Sequence, residues 1–131
     1  MYKGSKICLL SSQFFLIASL YNYAWSNYIE SFSIFAMYMT SINYHKTPTP
    51  INKVIDECMV KIAIFISVVI SLYNYNILPS ISTLIISYNY YNRPECKIPC
   101  SICNIYHALF VHYIGFLGFI CIYFNKKCNL L

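Results

Sequence analysis

Residues 62–92 contain no charged side chain, and the stretches 7–29, 31–45 and 98–125 are equally bare. Four such runs in a chain of 131 residues leave too little polar surface to cover an ordinary water-soluble fold. The chain is 59% hydrophobic and 10% charged, against roughly 25% charged residues in a typical soluble domain. The surplus apolar surface must face lipid or a partner.

The runs divide into membrane-spanning lengths, since about 20 apolar residues cross a bilayer as a helix. Lys3 and Lys6 precede a first span at 7–25. A basic start followed by an apolar run also fits a secretory signal, but the YNYAWSNY stretch at 21–28 is a poor cleavage site. A second span covers 26–45, with Glu30 near a membrane surface, and ends at KTPTP. Pro48 and Pro50 stop a helix and set an extended turn. A third span, 54–74, is predicted to start near Asn52 as N-cap, with Asp56 and Glu57 in its early turns. Asn74, Asn76 and Pro79 mark a break before a short fourth span at 77–92. The last span is placed at 102–124, where Gly115 and Gly118 allow close helix approach. The fold predicted is one all-α domain, a multi-pass transmembrane helical bundle of four or five spans.

Basic residues orient it. Lys3 and Lys6 place the N-terminus in the cytoplasm, and five spans put the 46–53 and 93–97 loops on that side too. Lys126 and Lys127 oppose this arrangement. The net charge of +5 is scattered between apolar runs rather than gathered on a polar face, so a nucleic-acid partner is set aside and membrane lipids are the expected surroundings. The seven cysteines are irregularly spaced and do not form a secreted disulfide pattern. Cys96, Cys100 and Cys103 resemble a radical S-adenosylmethionine cluster motif. That chemistry needs a large soluble barrel, so free or lipidated thiols are the plainer reading.

The topology gathers the three histidines. His45 ends span two, and His107 and His112 begin span five on the same side; Ser41 and Asp56 share that depth. Ser41 and His45 are four residues apart and lie on one helix face. His107 and His112 are five apart, about 140° around a regular helix, and converge only if a π-bulge absorbs the extra residue. Three neutral imidazoles form a known open zinc site, and ionisable groups inside a membrane point to function. Each residue also has a plainer role. Asp56 suits a helix N-terminus, and the histidines can hydrogen bond between helices. A haem on two histidines leaves Ser41 and Asp56 unexplained.

The pieces SINYH, VID and YHALFVH resemble the alkaline ceramidase and adiponectin-receptor superfamily of membrane hydrolases. The resemblance implies His45, His107 and His112 as zinc ligands, with Ser41 and Asp56 beside the catalytic water. That superfamily has seven spans and a His-x-x-x-His pair, both different here. The function expected is a compact zinc-dependent hydrolase of a lipid amide or ester. The competing expectation is a non-enzymatic structural or assembly protein of a cell or viral membrane.

Overall fold

The computed structural model describes residues 5–92 and 101–121. Within them the chain is helical, with no strand: α1 (Lys6–Ala24), α2 (Tyr28–Lys46), α3 (Pro50–Tyr73), α4 (Leu78–Tyr91), then a last rod made of α5 (Ser101–His107), a π-helical segment (Ala108–Tyr113) and α6 (Ile114–Cys121). Two stretches are long and apolar enough to cross a membrane, Lys6–Ala24 and Asn104–Cys121. Cys96, Cys100, the 93–97 loop, Lys126 and Lys127 lie outside the described residues, as do positions 122–124 of the last predicted span.

The turns explain where the chain reverses. After α1, Asn27 N–H donates to Asn22 O at 3.0 Å and Ser26 N–H to Tyr23 O at 2.9 Å. After α3, Asn76 N–H donates to Ser71 O at 2.8 Å and Tyr75 N–H to Leu72 O at 3.1 Å. Both are Schellman turns, and their pivot residues sit in the left-handed region, Ser26 at φ 61° and Tyr75 at φ 54°. The α2–α3 connection works differently. Thr49 is extended and its side chain accepts from Asn52 N–H at 3.1 Å, which makes Thr49 the N-cap. This moves the predicted start. Pro50 does not stop a helix but begins α3, because its fixed φ and missing N–H suit the first helical position. Pro79 fills the same role in the first turn of α4.

The rods form a ring. α1 packs on α2, α2 on α3, α3 on α4, α4 on the last rod, and the last rod on α1. Side-chain bonds give the directions. Ser12 meets Ser41 while Ser19 meets Ser31, so α1 and α2 are antiparallel. Thr40 meets Asp56 while Glu30 meets Ser67, so α2 and α3 are antiparallel. Tyr90 meets Glu57 across α3 and α4, and Tyr106 meets Asn89 across α4 and α5. The last rod then lies parallel to α1, with Cys8 bonded to Asn104 O near one end and Asn22 to Phe119 O near the other. Four reversals bring His107 back to the end of the bundle that holds His45.

The distribution of side chains is inverted relative to a protein in water. Leu10, Phe32, Phe65 and Leu84 are each about 70% exposed, whereas Ser12, Ser19, Asn22, Glu30, Ser41, Ser67, Ser71 and Asn76 are buried. Many of the buried hydroxyls bond the carbonyl three or four residues back, as Ser11 and Ser12 do to Cys8 O and Ser33 to Glu30 O. That local bond lets a serine enter the interior without leaving a polar group unpaired. Phe15, Ala18, Ile34, Met37, Ala63 and Phe119 form the apolar middle. Small side chains let the rods close up. A Cβ placed on Gly118 would lie 2.0 Å from Ser82 Oγ, and one on Gly115 would lie 3.3 Å from the Phe15 ring.

Candidate metal centre

α2 carries His45 in its last turn, with the side chain buried against the last rod. α5 ends on His107, and His112 lies in the π-helical segment that follows. The backbone shows how the five-residue step is absorbed. Ile114 N–H donates to Leu109 O, an i→i−5 bond, so this segment is wound more widely than an α-helix, with more residues in each turn. Residues five apart thereby come onto one face. The ring centroids of His107 and His112 are 4.8 Å apart, with His45 5.5 Å from His107 and 5.2 Å from His112.

One nitrogen from each ring lies within 4.8 Å of the other two. A triangle with no side longer than 4.8 Å has a centre no more than about 2.8 Å from each corner. Tetrahedral zinc at about 2.0–2.1 Å needs nitrogens about 3.4 Å apart, an inward shift below roughly 1 Å per ring. The side chains are therefore close enough to hold a metal ion. The donor chemistry also fits. His45 Nε2 is buried without a hydrogen-bond partner, which suits a lone pair reserved for a ligand.

The surroundings orient His112. Ser11 Oγ lies 3.1 Å from Cys8 O and 2.6 Å from His112 Nδ1. When Nε2 ligates, Nδ1 carries the hydrogen and donates it to Ser11, whose own proton then goes to Cys8 O. Phe15 fixes the plane of the same ring by an edge contact, with centroids 5.1 Å apart. Sequence reasoning missed Ser11. Its only signal was a Ser-Ser pair in a run already rich in serine, and nothing local says which of the two faces the π-helical segment.

The other two predicted site residues occupy the same end but different partners. Ser41 Oγ lies 3.2 Å from Ser12 Oγ. Because Ser12 donates to Cys8 O, Ser41 is the donor of that pair. Asp56 accepts from Thr40 Oγ1 at 3.1 Å. Thr40 and His45 are five apart on a regular helix, about 140° around it, so Asp56 contacts a different face of α2 from the one that carries His45. The structure thus brings the three histidines together, sets Ser41 one turn away on their side of α2, and places Asp56 against Thr40.

Glu30, predicted near a membrane surface, lies in the first turn of α2 but turns inward and is fully buried. It accepts a hydrogen bond from Ser67. Comparisons of the chain with protein-family models, curated proteins and solved structures found no match.

Proposed function

We propose that the chain is a five-span membrane protein and a compact zinc-dependent hydrolase of a lipid amide or ester bond. The observation that carries this reading is the convergence of His45, His107 and His112 across a π-helical segment. π-bulges inside α-helices are costly and concentrate at functional sites.

The inverted side-chain distribution supports the membrane setting. Lipid is as apolar as leucine, so bundles in it pack through small and hydroxyl side chains and turn large apolar ones outward. Lys6, Lys46 and Lys53 belong to the histidine end, and the turns at the opposite end carry no Lys or Arg. That bias supports a cytoplasmic position for the histidine end. α4, with 14 residues, is about 21 Å long and would span a locally thinned bilayer.

In this reading the three imidazoles would hold the ion. Zinc bound that way lowers the pKa of a coordinated water to about 7 and polarises a carbonyl. Ser11 holds His112 in the ligating tautomer. Ser41 supplies a hydroxyl beside the site to orient the scissile carbonyl, and Asp56 supplies the carboxylate for proton transfer after releasing Thr40. The apolar outer surface lets a lipid reach the site from within the membrane.

The second reading is a non-enzymatic membrane protein that uses the histidines for structure. It is favoured by the bonds that engage Ser41 with Ser12 and Asp56 with Thr40. Purified protein in lipid nanodiscs, loaded with zinc, is incubated with an N-acyl sphingoid amide and with a glycerol ester. Release of fatty acid that is lost in Asp56→Asn, with zinc retained, supports the hydrolase. No release from either substrate by zinc-loaded protein overturns it.

A further inference from the structure

The end of the bundle opposite the histidines holds a carboxyl group that the proposed hydrolase does not use. Glu30 has no exposed surface. One carboxyl oxygen accepts from Ser67, and the other, Oε2, has no partner. The ion pair seen among the described residues is Lys53 with Glu57, at the other end. Lys61, on α3, is exposed and makes no bond to Glu30.

α1 and α3 flank this part of α2. The buried side chains they present at this end are Ser19, Asn22, Ser67 and Ser71, none of them titratable. Tyr23 and Tyr28 are exposed. Ser19 is satisfied by Ser31, and Asn22 by backbone carbonyls. Ser71 lies one turn along α3 from Ser67, on the same face, and bonds Val68 O. A carboxylate in such surroundings, with no basic side chain, is costly unless a positive charge joins it. The donor set is oxygen only, from a carboxylate and hydroxyls, which suits hard ions rather than zinc.

We infer that Glu30, with Ser67, forms a second site that binds one small monovalent cation, a proton or a sodium ion, between α2 and α3. The phenyl and aliphatic groups of Phe15, Ile34, Met37 and Phe119 separate it from the histidines. It is therefore a site of its own and does not depend on the metal reading. An apolar groove of about 490 Å³ on the outer α2–α3 face reaches Ser33 and Ile66, neighbours of Glu30 and Ser67 in the two helices. Neither Glu30 nor Ser67 lines it, but it lets an apolar reagent settle against residues within one helical turn of both.

The test uses dicyclohexylcarbodiimide, an apolar probe that adds to a protonated carboxyl and leaves a stable N-acylurea. The full chain in nanodiscs is labelled from about pH 5 to about pH 9, a range spanning ordinary carboxyl to cysteine titration, with sodium or choline chloride. Peptide mass spectrometry locates the adduct. The expected adduct is on Glu30, persists in His45→Ala and is lost in Glu30→Gln. Slower labelling with sodium than with choline identifies a sodium site. Equal labelling in both salts that declines as pH rises identifies a proton site. Labelling of Asp56 or Glu57 with none on Glu30 at any pH overturns the inference. So does a Glu30→Gln protein whose melting temperature keeps the wild-type response to pH and sodium.

Discussion

Replacing Ser11 by alanine removes the acceptor that holds His112. In the wild type Ser11 Oγ is 2.6 Å from Nδ1, deep in the bundle, and 3.1 Å from Cys8 O, so it can accept from an Nδ1–H while its own proton goes to that carbonyl. Alanine leaves a buried imidazole N–H without a partner, at a cost of about 1–3 kcal/mol. That cost does not fall equally on both states. Without metal, the ring can move its hydrogen to Nε2. With metal on Nε2, the hydrogen must stay on Nδ1. The penalty therefore appears in affinity, as about a 5- to 150-fold loss at 1.4 kcal/mol per tenfold. Removing a partner outside the ligand set typically costs 10–100-fold, which agrees. The assay is zinc competition against a chromophoric chelator in detergent, with helicity checked by circular dichroism. Ser11→Thr keeps the hydroxyl and should bind zinc within a few-fold of wild type. A well-folded Ser11→Ala protein with unchanged zinc affinity would refute the tautomer argument.

Three further outcomes follow from particular contacts. Gly118→Ala puts a methyl against the Ser82 side chain, so the hydroxyl must turn away and Ser82 Cβ, 3.0 Å off, must still give, at a cost of about 1–3 kcal/mol; adding Ser82→Gly should recover most of the lost melting temperature. Asn76→Ala removes the bond from Nδ2 to Cys121 O at 2.7 Å and the one from Leu78 N–H to Oδ1 at 3.1 Å, and should lower unfolding free energy by about 1–3 kcal/mol in a denaturant titration. Zinc affinity should fall as pH falls, because a proton competes for each imidazole; calorimetry in buffers of different ionisation enthalpy should show proton release on binding that grows as the pH is lowered.

The helices were legible because uncharged runs and turn residues bound them. The predicted spans 26–45 and 77–92 became Tyr28–Lys46 and Leu78–Tyr91. Pro50 misled because proline stops a helix in its interior and starts one at its first position, and only the extended Thr49 before it decides which. The histidine trio was legible from topology alone. The i, i+5 spacing of His107 and His112 argued against it, and the π-helical segment removes the objection. Ser11 and Glu30 were not legible. Their roles depend on which helix lies across from them, and a local sequence window contains no trace of Ser67 or the last rod. Asp56 shows the same limit from the other side. Its depth was readable, but the 140° between Thr40 and His45 matters only once α3 is known to contact the Thr40 face.

Zinc stoichiometry tests the central claim most directly. The full chain is purified in detergent without chelators, loaded with a slight excess of zinc, freed of unbound metal by gel filtration, and measured by plasma mass spectrometry beside His45→Ala, His107→Ala and His112→Ala. The account requires close to one zinc per wild-type chain and a loss of most of it in each single variant. Wild-type protein without zinc, or any one of the three variants with full zinc content and intact helicity, would contradict it.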